Sequence, residues 1–253
     1  TGIEISSWGK DLKNGQSLID LLEALCAAVP ALRIRLGSLE PRTITEDFCA
    51  RAAKLDNLCP HFHLSLQSGC DATLKRMNRK YDTARYLESC TLLRRYFDDP
   101  AITTDLITGF PGETEEEFEQ TLAFIREAGF SAMHVFPYSR RTGTPACDMP
   151  GQVPMQEKEA RAHRAAAVAG EMEQAYLGRQ LGKTVPVLFE EEKDGFWRGY
   201  TPQYIEVRGK GENLHNRVCP VTLTAVEEGV AFGASFPQDE DLAHQANEYA
   251  DIE

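Results

Sequence analysis

The sequence predicts an α/β fold, a partial or complete β/α barrel, followed by a small all-β barrel. Three observations carry that expectation. Strand-like and helix-like segments alternate about four times with connections of a few residues, the pattern of parallel strands covered by helices. The run Ala101–Phe110, "AITTDLITGF", is β-rich and almost continuously apolar, which suits a strand covered on both faces. Beyond Gly182 the texture changes to short β-rich runs separated by Gly, Pro and Asn, as in small β-barrels.

Each element has a local reason. The opening "TGIEISSWGKD" reads as the end of a strand running into a loop, as though the fold were entered part-way. From Ser17 to Val29, residues Leu18, Leu21, Leu22, Leu25 and Val29 fall at helical spacing, and Pro30 stops the helix. "RIRLGSLEP", Arg33–Pro41, is short, alternating and closed by proline, so it predicts a strand. "TITEDFCARAAKL", Thr43–Leu55, opens on a capping Thr with an acidic first turn and predicts a helix. In "HFHLSLQ", His61–Gln67, Phe62, Leu64 and Leu66 alternate with polar residues. That period of two turns the apolar set to a helical shell and His63, Ser65 and Gln67 to the barrel interior. His61 and His63 lie early on the strand and are expected to be structural. A short helix over Ala72–Met77 precedes a longer one over Asp82–Phe97, with Leu87, Leu92 and Leu93 inward. After Ala101–Phe110, Thr114 and Glu117 make a capping box, and Phe118, Leu122 and Ile125 form the apolar stripe of the helix it starts. "AMHVFPYS", Ala132–Ser139, is the next strand, and a long helix over Gln156–Leu181 ends at Gly182. The expected organisation is a β/α barrel over 1–181, a β-barrel over 182–236 and an acidic, disordered tail over 237–253.

Composition bounds the rest. A chain of 253 residues, 42% of them hydrophobic, can bury a sizeable core. No run approaches the ~18 apolar residues of a membrane span, and the N-terminus has neither the basic nor the apolar region of a signal peptide. The seven cysteines are scattered and form no CxxC or CxxxCxxC cluster. That pattern argues for a cytoplasmic protein, against a disulfide framework and against a metal site built from this chain alone. Net charge is −12, of which the tail contributes −6. Global charge therefore disfavours a generic nucleic-acid binder, and any such contact needs local basic patches.

In a β/α barrel the reacting groups sit at the C-terminal strand ends. The polar residues there are Ser38 and Glu40, Gln67 and Ser68, Asp105 and Gly109, and the corner Phe136–Pro137–Tyr138, with Arg79 on the helical segment after the His61–Gln67 strand. Each has a structural alternative. Glu40 before Pro41 could be a turn residue, Gln67-Ser68-Gly69 a helix cap, Asp105 the partner of a barrel arginine such as Arg35, and "GFPGETEEEF" no more than a well-capped helix start. Their coincidence on successive strand ends favours a site.

The segments "TGIEISSWG", "RIRLGSLEP", "HLSLQSGCDATLKRMNRKYD", "TTDLITGFPGETEEEFEQT" and "FPYSRRTGTPACDMPGQVP" resemble the radical S-adenosylmethionine (SAM) methylthiotransferases from Thr1 to about Ala234. The wording "SLEP" and "YSRRTGTPA" is most similar to the branch that methylthiolates threonylcarbamoyladenosine in tRNA. The resemblance implies an N-terminal domain with one 4Fe–4S cluster, a radical-SAM barrel with a second, and a C-terminal TRAM β-barrel that binds the tRNA anticodon loop. This chain then corresponds to a partial radical-SAM barrel and a TRAM-like barrel, with no catalytic residue and no metal ligand of its own. It lacks the cluster cysteines, so the fragment alone should be inactive.

By the same resemblance, Gly2 in "TGIE" would hold the methionine amino group of SAM. Ser38, Glu40, Gln67, Arg79 and Asp105 would contact the remainder of that cofactor, and Phe136 and Tyr138 its adenine. A guanidinium fork suits a carboxylate, and amides or carboxylates suit ribose hydroxyls. Arg140 and Arg141 would meet tRNA phosphate or the substrate base; solvated surface arginines are the alternative. In the small barrel Tyr204, Arg208, Lys210 and Arg217 would make a local RNA face, although that segment holds six basic and eight acidic residues. Three further expectations follow: a variant acting on isopentenyladenosine tRNA or on a ribosomal-protein aspartate, a non-catalytic RNA-binding module, and a homodimer through the open edge of the cut barrel.

Overall fold

The computed structural model describes residues 4–227 and 229–234, so Gly2 and the tail from 237 to 253 lie outside the described residues. The chain divides into two compact units, Thr1–Gln174 and Ala175–Glu253. Among the described residues no helix is long and apolar enough to cross a membrane.

The first unit is a four-stranded, all-parallel sheet in chain order, β1 (Ser38–Leu39), β2 (His61–Leu64), β3 (Ala101–Thr108) and β4 (Ala132–Pro137). Its helices are α1 (Leu18–Ala28), α2 (Glu46–Ala52), α3 (Asp71–Arg76), α4 (Thr83–Tyr96), α5 (Glu115–Ala128), the short α6 (Pro145–Asp148) and α7 (Met155–Gly178), which continues into the second unit. Residues 5–7 form a 3-10 turn where a strand end was expected. The capping box at Thr114 and Glu117 is present, and Ser17 with Asp20 makes a second one at α1. At α2 the cap is Thr45 rather than Thr43, because Pro41–Thr43 first forms a 3-10 turn.

The first two strands are shorter than the sequence predicts. Ile34 makes only an isolated bridge to Leu58, one residue out of register with the Ser38–His63 and Leu39–Leu64 pairs that follow. Pro60 lies between the two stretches, and a proline offers no amide to continue a ladder. β2 ends at Leu64 rather than Gln67.

The faces of the sheet are unlike. Phe62, Leu64, Ile102 and Leu106 are fully buried and share one core with Leu93 of α4 and Phe118 and Ile125 of α5. On the other face, the register aligns His63 with Thr103, Asp105 with His134 and Ile107 with Phe136. These side chains stay partly or largely accessible, Phe136 being 52% exposed. β1 and β4 are the edges of the sheet as described.

The second unit is a closed barrel of β5 (Thr184–Lys193), β6 (Phe196–Tyr200), β7 (Glu206–Gly209), β9 (Val230–Ala234) and β8 (Arg217–Glu227), in that spatial order. All pairs are antiparallel except β7 with β9. Val187, Phe189, Val207, Val221 and Leu223 fill it. At Gly199 a Cβ would come 2.4 Å from the Leu188 carbonyl oxygen, so β5 and β6 pack with no side chain there.

Candidate functional site

The accessible face of the parallel sheet gathers polar groups around Asp105, which lies within β3 and not at its C-terminal end, since three more residues of β3 pair with β4 beyond it. Asp105, on β3, is flanked by an imidazole from each neighbouring strand. Nε2 of His63 lies 3.3 Å from Asp105 Oδ2, and Nδ1 of His134 lies 3.2 Å from Asp105 Oδ1. A carboxylate only accepts, so both ring nitrogens donate. The other ring nitrogen of His63 is 3.0 Å from Thr103 Oγ1, and that hydroxyl is 3.5 Å from His61 Nε2. Exposure rises across the row, from 15% for His63 through 31% for Asp105 to 72% for His134. His61 lies behind it, and burial, aided by the nearby charges of Arg35 and His63, pushes its pKa down to about 4.

Sequence reasoning placed Asp105 at the site and set His63 aside as structural; His63 in fact touches the carboxylate. The alternating pattern turned His63 toward the barrel interior, but its contact with Asp105 depends on the register between β2 and β3. The same holds for His134, which no sequence signal singled out.

Gln67 adopts φ +70°, a left-handed conformation uncommon outside glycine. Its amide donates to the Asp105 carbonyl at 2.9 Å and its carbonyl accepts from Ile107 at 3.0 Å. The chain thus kinks at Gln67 and rejoins β3 beside Asp105. Ser38 aligns with His63 and is exposed. Glu40 is engaged by Arg42, whose Nε donates to Oε1 at 2.6 Å. Arg79 is exposed, and it lies past the end of α3 in the turn before α4, not on a helix.

Phe136 and Tyr138 separate. Phe136 is on the accessible face, whereas Tyr138 is buried, its ring 5.3 Å from that of Phe110 and beneath the Lys158 ammonium. The turn after β3 is held from behind. The Gly109 amide donates to Glu113 Oε2 at 2.7 Å, and Arg161 of α7 donates to the same oxygen at 2.9 Å. Arg140 is exposed and donates to the Cys147 carbonyl at 2.7 Å; Arg141 is exposed.

In the barrel unit Tyr204 stacks on Tyr200, the rings 4.6 Å apart and 14° from parallel. Arg198 bridges Glu191 and Glu206 and donates to the Tyr200 hydroxyl. Arg208 reaches Glu206 at 3.4 Å, and the Lys210 ammonium stands over the Phe196 ring. Lys193, Asp194, Phe196, Arg198, Glu206 and Arg208 line a cleft of about 240 Å³. Arg217, at the start of β8, is exposed.

The family model "Radical SAM superfamily" matches residues 13–125. The threonylcarbamoyladenosine tRNA methylthiotransferase MtaB of Bacillus subtilis is 36% identical over 230 residues, covering 88% of this chain and 51% of that protein. The chain belongs to the radical SAM methylthiotransferase family. A second relative, the tRNA-2-methylthio-N(6)-dimethylallyladenosine synthase of Acidothermus cellulolyticus, is 41% identical over 191 residues, covering 75% of this chain and 38% of that one. The chain therefore spans about half or less of the length of these radical SAM methylthiotransferases. Among solved structures, coproporphyrinogen III oxidase (HemN) from Escherichia coli, described as a radical SAM enzyme, aligns with a TM-score of 0.50 at 20% identity. It covers 61% of this chain and 37% of that one, and supports the fold.

The family implies SAM and 4Fe–4S chemistry. The accessible face offers groups that fit SAM, namely the Asp105 carboxylate, the Ser38 hydroxyl and the exposed Phe136 ring, and Arg79 is exposed in the turn before α4. The cysteines do not fit a cluster. Cys26, Cys49, Cys59, Cys70 and Cys90 are buried and dispersed, and burial pushes the thiols of Cys49 and Cys90 up to about 11 and about 12. A cluster ligand must be a thiolate. Among the described residues no group of three or more His, Cys, Asp or Glu is arranged to hold a metal ion.

Proposed function

We propose that this chain is the SAM-orienting and RNA-contacting part of a cytoplasmic tRNA methylthiotransferase that acts on C2 of N6-threonylcarbamoyladenosine in the anticodon loop. The observation that carries the reading is the accessible, Asp105-centred face of the parallel sheet, in a chain whose methylthiotransferase relatives align along both of its units. SAM, bound at a cluster supplied from outside these residues, provides the radical chemistry.

The chain's own residues bind and orient. Asp105 and Ser38 take the ribose side of SAM, and Gln67 shapes the strand end beside them. Arg79 is the partner for the cofactor's carboxylate, and Phe136 gives adenine an apolar face. Tyr138 props the turn at Phe110 from beneath, since its ring is already covered. Glu40, held by Arg42, would need to exchange that partner to meet SAM. Gly2 is assigned to the methionine amino group from the resemblance alone. Arg140 and Arg141, with Tyr204, Arg208, Lys210 and Arg217 of the small barrel, contact tRNA.

Mass spectrometry of tRNA nucleosides from a strain deleted for the complete gene tests the reading. The expected result is loss of 2-methylthio-N6-threonylcarbamoyladenosine with its unmodified parent retained. Unchanged levels would overturn the proposal. A second reading has support of its own, because relatives named for dimethylallyladenosine reach 41% identity over a shorter stretch. It predicts that the 2-methylthio form of that base disappears instead.

A further inference from the structure

We propose that His63 and His134 are positioning residues for Asp105, one imidazole on each carboxylate oxygen, which present its remaining lone pairs to the hydroxyls of the SAM ribose. The inference rests on the reading of this face as the SAM site.

The geometry is specific. His63 comes from β2, Asp105 from β3 and His134 from β4, so the row runs across three adjacent strands. The ring nitrogens stand at 3.3 and 3.2 Å from different oxygens of one carboxylate. A carboxylate has about four acceptor sites, and two imidazole donors leave the others for a ligand. A diol donates two hydrogen bonds, which matches what remains. Two donors on opposite sides also fix the plane of the carboxylate, whose terminal torsion is otherwise broad.

His63 is itself held. Thr103 Oγ1 meets its second nitrogen at 3.0 Å, and His61 lies beyond that hydroxyl. Among the described residues, the side chains that contact the carboxylate are these two histidines. Glu173, on α7, is partly buried, and burial raises its pKa, opposed by the nearby His134. The arrangement dictates tautomers. His134 must carry its proton on Nδ1 to donate to Asp105, whereas a neutral imidazole with no such partner is free to carry it on Nε2.

The experiment uses the complete gene product with its clusters reconstituted, and calorimetric titration with SAM. Removing one donor should weaken binding by about fivefold, the scale of one hydrogen bond. His134→Ala and His63→Leu are each expected to show that loss, and Asp105→Asn a larger one of about tenfold. His134→Gln, which keeps an N–H donor, should recover part of the affinity. His134 is exposed, so its variants keep the test alive if His63→Leu fails to fold. Ring carbon and nitrogen shifts by NMR at pH 8 should report the Nδ1–H tautomer at His134 in the wild type and its loss in Asp105→Ala. Absence of SAM affinity in the wild type would overturn the site reading, and this proposal with it. SAM affinity that falls in Asp105→Asn but is untouched in His134→Ala and His63→Leu would overturn the positioning role alone. An Nε2–H tautomer at His134 in the wild type would overturn it as well.

Discussion

Thr104 Oγ1 accepts the Leu66 amide at 3.0 Å, and the same hydroxyl donates to the Leu64 carbonyl. A side chain of β3 thereby supplies the partner that a longer β2 would have found in the ladder. This frees the backbone to kink at Gln67 and return to β3 next to Asp105. Thr104 is fully buried, so valine would fill its space and leave the Leu66 amide unpaired, while the Leu64 carbonyl keeps the Tyr86 hydroxyl at 2.9 Å. We expect Thr104→Val to cost about 1–3 kcal/mol, seen as a lower urea midpoint at unchanged m-value. Thr104→Ser should cost less. A valine variant as stable as the wild type would refute the hydrogen-bond account.

This contact also marks where the sequence stops being legible. The alternation in "HFHLSLQ" assigned faces correctly, because side-chain direction in a strand needs only a period of two. It did not reveal where pairing ends, since that depends on a threonine 38 residues away from Leu66. Asp105 was legible as the one charged residue of a strongly apolar strand, although it lies within β3 rather than at its end. His134 was not, because a single polar residue in "AMHVFPYS" has no local signal and gains its meaning only from the register that sets it opposite Asp105. Phe136 and Tyr138 looked equivalent as a pair of aromatics two apart, yet only one remains accessible once Phe110 and Lys158 close on the other.

His61 sets a pH dependence. Its folded pKa is depressed from 6.5 to about 4, chiefly by burial. A depressed base keeps its full stabilisation above the unfolded value and loses it as pH falls from 6.5 toward 4. By linkage this one site removes about 2 kcal/mol between pH 7 and pH 5. Urea unfolding at the two pH values should show that loss in the wild type. His61→Phe, which cannot titrate, should show a difference smaller by that amount. Parallel pH profiles would mean that His61 is not held neutral.

Glu113 and Arg161 form an ion pair whose side chains are 1% and 3% exposed. Burial raises the Glu113 pKa, opposed by the Gly109 amide and the arginine. Truncating one member strands a charge, so Arg161→Ala should destabilise by about 3–5 kcal/mol. Replacing both, as in Glu113→Leu with Arg161→Met, should recover much of that loss, because two apolar chains carry no desolvation penalty. The double variant should still loosen the turn after β3, since the Gly109 amide loses its acceptor. Denaturation of the single and double variants decides the point, and a double variant no better than Arg161→Ala would contradict it.

Tyr204 separates a structural role from a functional one in the small barrel. Its φ of +63° is a left-handed conformation that costs a bulky residue strain. The ring nonetheless stands 43% exposed, with one face on Tyr200. A stabilising role would not select tyrosine here, because asparagine takes this backbone more easily. A base-stacking role would, since an unpaired base stacked on the outer face of the pair would be worth about 1–3 kcal/mol. We therefore expect Tyr204→Asn to stay within about 1 kcal/mol of wild-type stability, strain relief offsetting the lost aromatic contact. Its affinity for tRNA, measured by filter binding at fixed salt, should fall about tenfold. Unchanged affinity with a clear loss of stability would reverse the assignment and make the tyrosine pair a structural brace.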